Sequence, residues 1–338
     1  MKRLILSALL VLTNMLMSNL GLHAEIKVII TSGIEDNRIK TNIQNNASTL
    51  LTIFDDAIFL NKSIKSSMKD AQISPELTKT INELWKSSAM QCPISEVKRS
   101  VTQLRTGGTG ALRGYEVRDI PIDLLAADED EQEQELVMKF DTEGRLVDIS
   151  LAVEQQNYMK VIRDDVTEDD LARRQMVLDF IENFRTAYNR KDIDYLDRIY
   201  SEDALIITGK VVKVKPQQQK DGGLTKSLGA AKVEYFRQTK AEYITNLKRI
   251  FKNNKCINIR FEDISVRKHA KRQKIYGVQL KQYWSSDRYS DIGYLFLMIN
   301  FEDDELNPTI EVRTWQPEKI GAEELRRDEI ISLDNFRL

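Results

Sequence analysis

Residues 179–207 read DFIENFRTAYNRKDIDYLDRIYSEDALII, and the fold turns on how this stretch is divided. Phe180, Ile181, Phe184 and Tyr188 recur at the spacing of one helical face, which extends back through Val177 to Leu171. Thr167-Glu168-Asp169-Asp170 supplies an N-cap and first-turn acids for that helix. Asn189-Arg190-Lys191-Asp192 is a turn, and Ile193, Leu196, Ile199 and Tyr200 mark a shorter helix beyond it. Ser201-Glu202-Asp203 closes the second helix, and Ala204 to Val212 is extended. Two helices therefore deliver the chain into a strand.

Downstream, a polar insertion (Lys215 to Gly223) precedes a third helix around Ala241 to Phe251. Four extended segments follow: Ile257 to Lys268, Lys274 to Trp284, Asp291 to Phe301, and Thr309 to Gln316. The third is apolar on both faces from Tyr294 to Ile299, which suits a central strand. In the first, Ile257, Ile259 and Phe261 share one parity while Ile264 and Val266 share the other. That slip predicts a bulge near Glu262-Asp263, a device that bends a sheet. Residues 167–318 thus read as an α+β cone, three helices against a curved antiparallel sheet, with 319–338 a tail that is either docked or frayed.

The order of these elements, with Tyr188-Asn189-Arg190-Lys191-Asp192 at the turn and Tyr200-Ser201-Glu202-Asp203-Ala204 at the strand entry, resembles the nuclear transport factor 2-like superfamily, which includes ketosteroid isomerases and polyketide cyclases. The resemblance covers the C-terminal half, residues 170–317, and implies a pocket used by different members for catalysis, small ligands or protein partners. Isomerase chemistry, as the resemblance implies it, needs a first-helix tyrosine and an aspartate early in the first strand. Those positions fall on Phe184 and Thr208 here. Phenylalanine donates no hydrogen bond and threonine is no general base at neutral pH.

Ahead of the cone, Lys2 and Arg3, the apolar run Leu4 to Met17 and the small residue Ala24 make up a secretory signal cleaved after residue 24. Its core is shorter than the roughly 20 residues of a membrane span. The expected location is outside the cytoplasm: periplasmic in a Gram-negative host, otherwise secreted. Residues 25–166 read as a small α+β domain of unassigned role. It has a strand at Glu25 to Thr31, a helix through Ile39, Ile43, Ala47, Leu50, Leu51, Phe54 and Ile58, and a second helix capped by Ser74-Pro75 that carries Leu77, Ile81, Leu84 and Trp85. Arg113 to Leu124 is extended, and Gln134 to Val153 is a hairpin turning at Asp141 to Gly144. An acidic run, Ala126 to Glu135, reads as a solvated loop.

Composition removes several function classes. Hydrophobic residues at 41% and charged residues at 30% are globular values. Net charge is -2, and loss of Lys2 and Arg3 takes it to -4, so nothing draws the chain to nucleic acid or an anionic membrane. With His23 in the signal, His269 is the one histidine left, in a basic hairpin tip, so no multi-histidine metal site and no cofactor motif is indicated. Thr106 to Gly110 lacks the context of a phosphate loop. Asp287 and Asp291 read as turn residues. Cys92 and Cys256 are either bridged or separately buried.

The candidate pocket is an aromatic and polar set: Tyr188, Tyr276, Gln282, Trp284, Tyr294 and Trp315. Gln282 shares a strand face with Tyr276, Val278, Leu280 and Trp284, which sets an amide among apolar neighbours. The same residues also suit an ordinary filled core. The leading reading is an exported, non-enzymatic binding protein whose partner is a small molecule or an envelope protein, with a homodimer compatible. One rival is a hydrolase or cyclase using Tyr294 or Tyr283 with a carboxylate. Another is a structural module of an envelope assembly, docking through the sheet face.

Overall fold

Two hydrophobic cores divide the chain between Ala152 and Val153. The computed structural model describes residues 25–71, 73–106, 110–125, 132–163, 168–213, 231–304 and 306–336. The expected signal segment, most of the acidic run, the glycine-rich loop, the expected Thr167 cap and the 215–223 insertion lie outside them.

In the N-terminal unit, β1 (Lys27–Ser32) leads to α1 (Asn37–Phe59), α2 (Ile64–Asp70) and α3 (Pro75–Ser87). Strands β2 (Met90–Gln91), β3 (Glu96–Arg105), β4 (Leu112–Leu124), β5 (Glu133–Phe140) and β6 (Leu146–Leu151) follow. The sheet order is β1-β3-β4-β5-β6, with β2 on β4. Asp36 caps α1 by accepting from Arg38 and Ile39 N–H, and Ser74 caps α3 by accepting from Leu77 N–H. The expected face of α1 is buried from Ile39 to Phe54, with Trp85 stacked on Phe54 at 5.6 Å, while Ile58 is half-buried. Sequence reading passed over β3. Its buried residues, Val97, Val101 and Leu104, do not alternate, so the period-2 signal is weak.

The C-terminal unit begins earlier than the expected 166/167 boundary because α4 (Gln155–Arg163) belongs to it: Val153 and Val161 lie in its core. Helices α5 (Glu168–Asn189) and α6 (Ile193–Ile199) lead into β7 (Tyr200–Lys213); β8 (Ala231–Gln238) and α7 (Lys240–Asn253) follow. Strands β9 (Ile257–Lys268), β10 (Ile275–Ser286), β11 (Ser290–Asn300) and β12 (Thr309–Pro317) complete a sheet of order β8-β7-β12-β11-β10-β9. The sheet is mixed, not antiparallel throughout, because β12 runs parallel to β7. Everything from β8 to β11 intervenes between those two strands, a connection long enough for a parallel crossover.

The bulge sits where the apolar phase slips: Asp263 has φ 50° and the β9–β10 register shifts between Gln279 and Lys281. Helix α5 is fastened to β9 at Ile259, whose N–H donates to Asn189 Oδ1 (2.9 Å) and whose carbonyl accepts from Arg185 Nε (2.6 Å). His269 is a turn residue, its Nδ1 accepting from Lys271 and Arg272 N–H. Cys92 and Cys256 are both free. Among the described residues no helix is long and apolar enough to cross a membrane.

The tail is docked. Past β13 (Lys319–Ile320) and β14 (Glu323–Glu324), Leu333, Ile331 and Phe336 cover Ile275, Phe296, Met298 and Val312 on the outer sheet face. Phe336 stacks on Phe296 at 5.4 Å, and Gln316 Oε1 accepts from Ile331 N–H at 2.6 Å. This face is therefore already occupied by the chain's own end, which weakens the structural-module reading. Deleting residues 330–338 is expected to lower stability by about 2–3 kcal/mol, since buried Leu333 and half-buried Ile331 and Phe336 leave the sheet together. Urea unfolding reads the loss, and sedimentation velocity should show new self-association through the bared face.

Candidate functional site

Strand parity sorts the six candidate residues. Tyr276, Val278, Leu280 and Trp284 pack against the helix-side core, and Gln282 shares their parity and is 6% exposed. On β11 the core-facing residues are Leu295, Leu297, Ile299 and then Phe301, so Asp291 and Gly293 share that parity. Tyr294 has the parity of Phe296 and Met298, on the outer face. It is therefore not a pocket residue, since one position along a strand reverses the side. Tyr283 is likewise outward, beneath Arg260 (4.2 Å) and Lys281 (5.2 Å).

Tyr188 and Trp284 meet edge to face with centroids 6.1 Å apart. Trp315 lies across Gly293, the cross-strand partner of Gln282. A Cβ on Gly293 would stand 2.6 Å from the indole and 2.4 Å from the Gln316 carbonyl, so only glycine leaves the ring its place. Tyr276 is brought to none of these. It lies eight residues from Trp284 on one strand, about 26 Å at roughly 3.3 Å per residue.

At that far end Tyr276 donates to Asp170 Oδ1 (2.7 Å), and Arg174 Nε donates to Asp170 Oδ2 (2.9 Å). A buried tyrosine–carboxylate pair looks like acid-base machinery, but the two groups are driven apart. Burial and the adjacent carboxylate push the Tyr276 hydroxyl far up. Burial would raise Asp170 as well, but the Tyr276 hydrogen bond and Arg174 outweigh it and hold the carboxyl below its ordinary range. No proton passes between such partners near neutrality, and the pair is structural.

The residues that sequence reading missed are Arg313, Tyr200 and Tyr243. Arg313 is 7% exposed, with its guanidinium 5.0 Å over the Tyr243 ring. Among the described residues no carboxylate pairs with it, and Nε and Nη1 have no hydrogen-bond partner. The Tyr188 and Tyr243 hydroxyls are hydrogen-bonded to each other, and the Tyr200 ring lies 5.5 Å from that of Tyr243. The Tyr200 hydroxyl, Trp315 Nε1 and Asp291 Oδ1 are buried and unpartnered too. Burial pushes the Tyr188 and Tyr200 hydroxyls well above the ordinary value of 10.0. Burial raises Asp291 as well, with the Tyr289 hydrogen bond and the charge of Arg313 opposing the rise. Strand parity was the available signal: Arg313 precedes Trp315 by two and must share its side.

The two positions tied to isomerase chemistry are filled otherwise. Phe184 is buried between Tyr188 (4.9 Å) and Phe261 (6.2 Å), and half-buried Thr208 faces Trp315 across the β7–β12 pair. Asp287 is a turn residue, accepting from Lys255 N–H at 2.8 Å. Asp291 departs from the turn reading: it is on β11 opposite Trp284, with one oxygen turned into the protein.

No family model matches the chain, and no curated protein matches it. Among solved structures it is similar to the Bd1075 protein of Bdellovibrio bacteriovorus, with 15% identity and TM-score 0.33 over 46% of this chain. The match spans 44% of that protein, less than half its length. A nuclear transport factor 2-like protein of Cytophaga hutchinsonii is 14% identical over 43% of this chain and 97% of its own, TM-score 0.29. One of unknown function from Pseudomonas putida is 9% identical over 45% and 93%, TM-score 0.31. Likenesses this faint assign neither an activity nor a ligand.

Proposed function

We propose that this chain is an exported binding protein whose C-terminal unit, a nuclear transport factor 2-like cone, takes a small ligand on the helix-facing side of its sheet. The observation that carries the reading is the cluster of buried, unpartnered polar atoms on Arg313, Trp315, Tyr200 and Asp291. Native interiors satisfy nearly all such atoms, so several together at one place call for a missing partner. An unpaired buried guanidinium alone costs several kcal/mol, and the cation–π contact with Tyr243 offsets only part of it. Export rests on the N-terminal sequence and is a proposal in its own right.

Native mass spectrometry of the mature protein from its host's envelope tests the reading. A co-purifying small molecule, lost from Trp284→Ala or Gln282→Ala, is the expected result. A bare chain whose cluster is filled only by water in a crystal would overturn it.

Asp291 supports a second reading, an enzyme in which a carboxyl with raised proton affinity works beside tyrosine hydroxyls. It predicts that the bound molecule is chemically altered on incubation, and that Asp291→Asn binds it unchanged.

A further inference from the structure

The unpartnered atoms are not a random mixture. Arg313 Nε, Arg313 Nη1 and Trp315 Nε1 are all N–H donors, and none of them accepts. Arg313 and Trp315 share one face of β12, and the first is among the most buried charges in the unit, 7% exposed. A group that satisfies them must bring acceptor oxygens and negative charge. The surrounding side chains are flat and aromatic: Tyr188, Tyr243, Trp284 and Phe251, with Tyr188 edge-on to both Phe251 (6.0 Å) and Trp284. The unpartnered carboxylate oxygen beside these donors, on Asp291, feels the Arg313 charge without touching it.

From this arrangement we infer that the site takes a small aromatic carboxylate, its carboxylate on the Arg313 guanidinium and the Trp315 N–H, its ring among Tyr188, Tyr243 and Trp284. The inference rests on the binding reading above and adds the chemical class. Arginine suits the role because its fork matches a carboxylate and it keeps its charge when buried. Burial works against the charged form, and the Tyr243 ring and the Tyr188 hydroxyl beside it oppose that effect. Asp291 sets a second requirement. Its inward oxygen needs a donor, so a ring bearing a hydroxyl satisfies more of the site than a bare ring. Trp284 is half-buried and is the most exposed member of the contact chain Trp284–Tyr188–Tyr243–Arg313.

The test uses the full mature chain with benzoate, 4-hydroxybenzoate and the neutral isostere benzamide, read by isothermal titration and thermal melting. Benzoate should raise Tm saturably and bind at least tenfold more tightly than benzamide, with 4-hydroxybenzoate tighter than benzoate. Arg313→Met should abolish the benzoate response while leaving the free protein at least as stable, because an unpaired buried charge has been removed. Trp315→Phe keeps an aromatic ring but loses the N–H donor with the pyrrole half of the indole; it should weaken benzoate several-fold and benzamide much less, and it keeps the question decidable if Arg313→Met does not fold. Equal binding of benzoate and benzamide would overturn the inference, as would stabilisation by chloride alone or a Trp315→Phe variant with unchanged benzoate affinity. A neutral molecule co-purifying in a Trp284-dependent way would overturn the anion class while leaving the binding function standing. Absence of any bound molecule, with no response to the three probes, would sink both.

Discussion

Asp170→Ala is expected to destabilise the C-terminal unit by about 3–5 kcal/mol, the usual result of removing one partner from a buried ion pair. Both side chains of the pair are about one-tenth exposed, with Nε–Oδ2 at 2.9 Å, so solvent screens little of the interaction. The alanine takes an ion-pair partner from Arg174 and the acceptor from the Tyr276 hydroxyl, and Tyr276 is 1% exposed. Asp170→Asn keeps an acceptor for Tyr276 and should lose less than half as much. Trp85 is the single N-terminal tryptophan, so in a Trp85→Phe background Trp284 and Trp315 report on the C-terminal unit alone during urea unfolding. The wild-type advantage is also pH-dependent in a definite direction. The folded carboxyl sits below its unfolded value of 3.8, so its contribution is present above that pH and is lost as pH falls through the folded value. A loss under about 1 kcal/mol at pH 7 would mean that water reaches the pair and that this end of the unit is open.

This pair also shows what sequence reading can and cannot reach. The helix face through Val177, Phe180, Ile181, Phe184 and Tyr188, the Ser74 cap, the hairpin turn at Gly144 and the bulge at Asp263 were legible, because each follows from local periodicity or backbone chemistry. Pairings between distant segments were not. Nothing local ties Asp170 to Tyr276, 106 residues away, or says that β12 lies parallel to β7. The candidate site was half legible for the same reason. Parity on β10 placed Gln282 and Trp284 on the helix-facing side; the same rule applied to β11 and β12 would have turned Tyr294 out and brought Arg313 in. Arg313 escaped notice because an arginine in a strand is ordinarily read as solvated, and its burial depends on α7 laying Tyr243 over it. The tail was beyond reach too: its apolar residues are scattered, and only the folded sheet supplies the surface on which Ile331, Leu333 and Phe336 meet.

Alkali should unfold the C-terminal unit with unusual steepness, and the tyrosine cluster is the reason. Tyr188 and Tyr200 are 2% and 1% exposed, and burial pushes both hydroxyls well above the unfolded value of 10.0. A group whose folded pKa is raised stabilises fully below its unfolded pKa, and that contribution is lost as pH climbs towards the folded value. Between those limits the unfolded chain releases a proton that the native state keeps. Each such group lowers stability by about 1.4 kcal/mol per pH unit, and two together by about 2.7. That loss runs for as long as the folded hydroxyls keep their protons. Lysines and other tyrosines titrate in the same range, so the informative quantity is the difference from Tyr188→Phe/Tyr200→Phe. Near neutrality that variant should lie within about 2 kcal/mol of wild type, having lost the Tyr188–Tyr243 hydrogen bond and the Tyr188 hydroxyl's contacts with Arg313 and Tyr200. Above pH 10 the two stability curves should converge and then cross at the stated slope, because the phenylalanines have no proton to release. Parallel curves would mean that both hydroxyls ionise as freely in the native protein as in the unfolded chain. Water would then stand at the cluster, the Arg313 charge would already be solvated, and the case for a missing anionic partner would lose its physical basis.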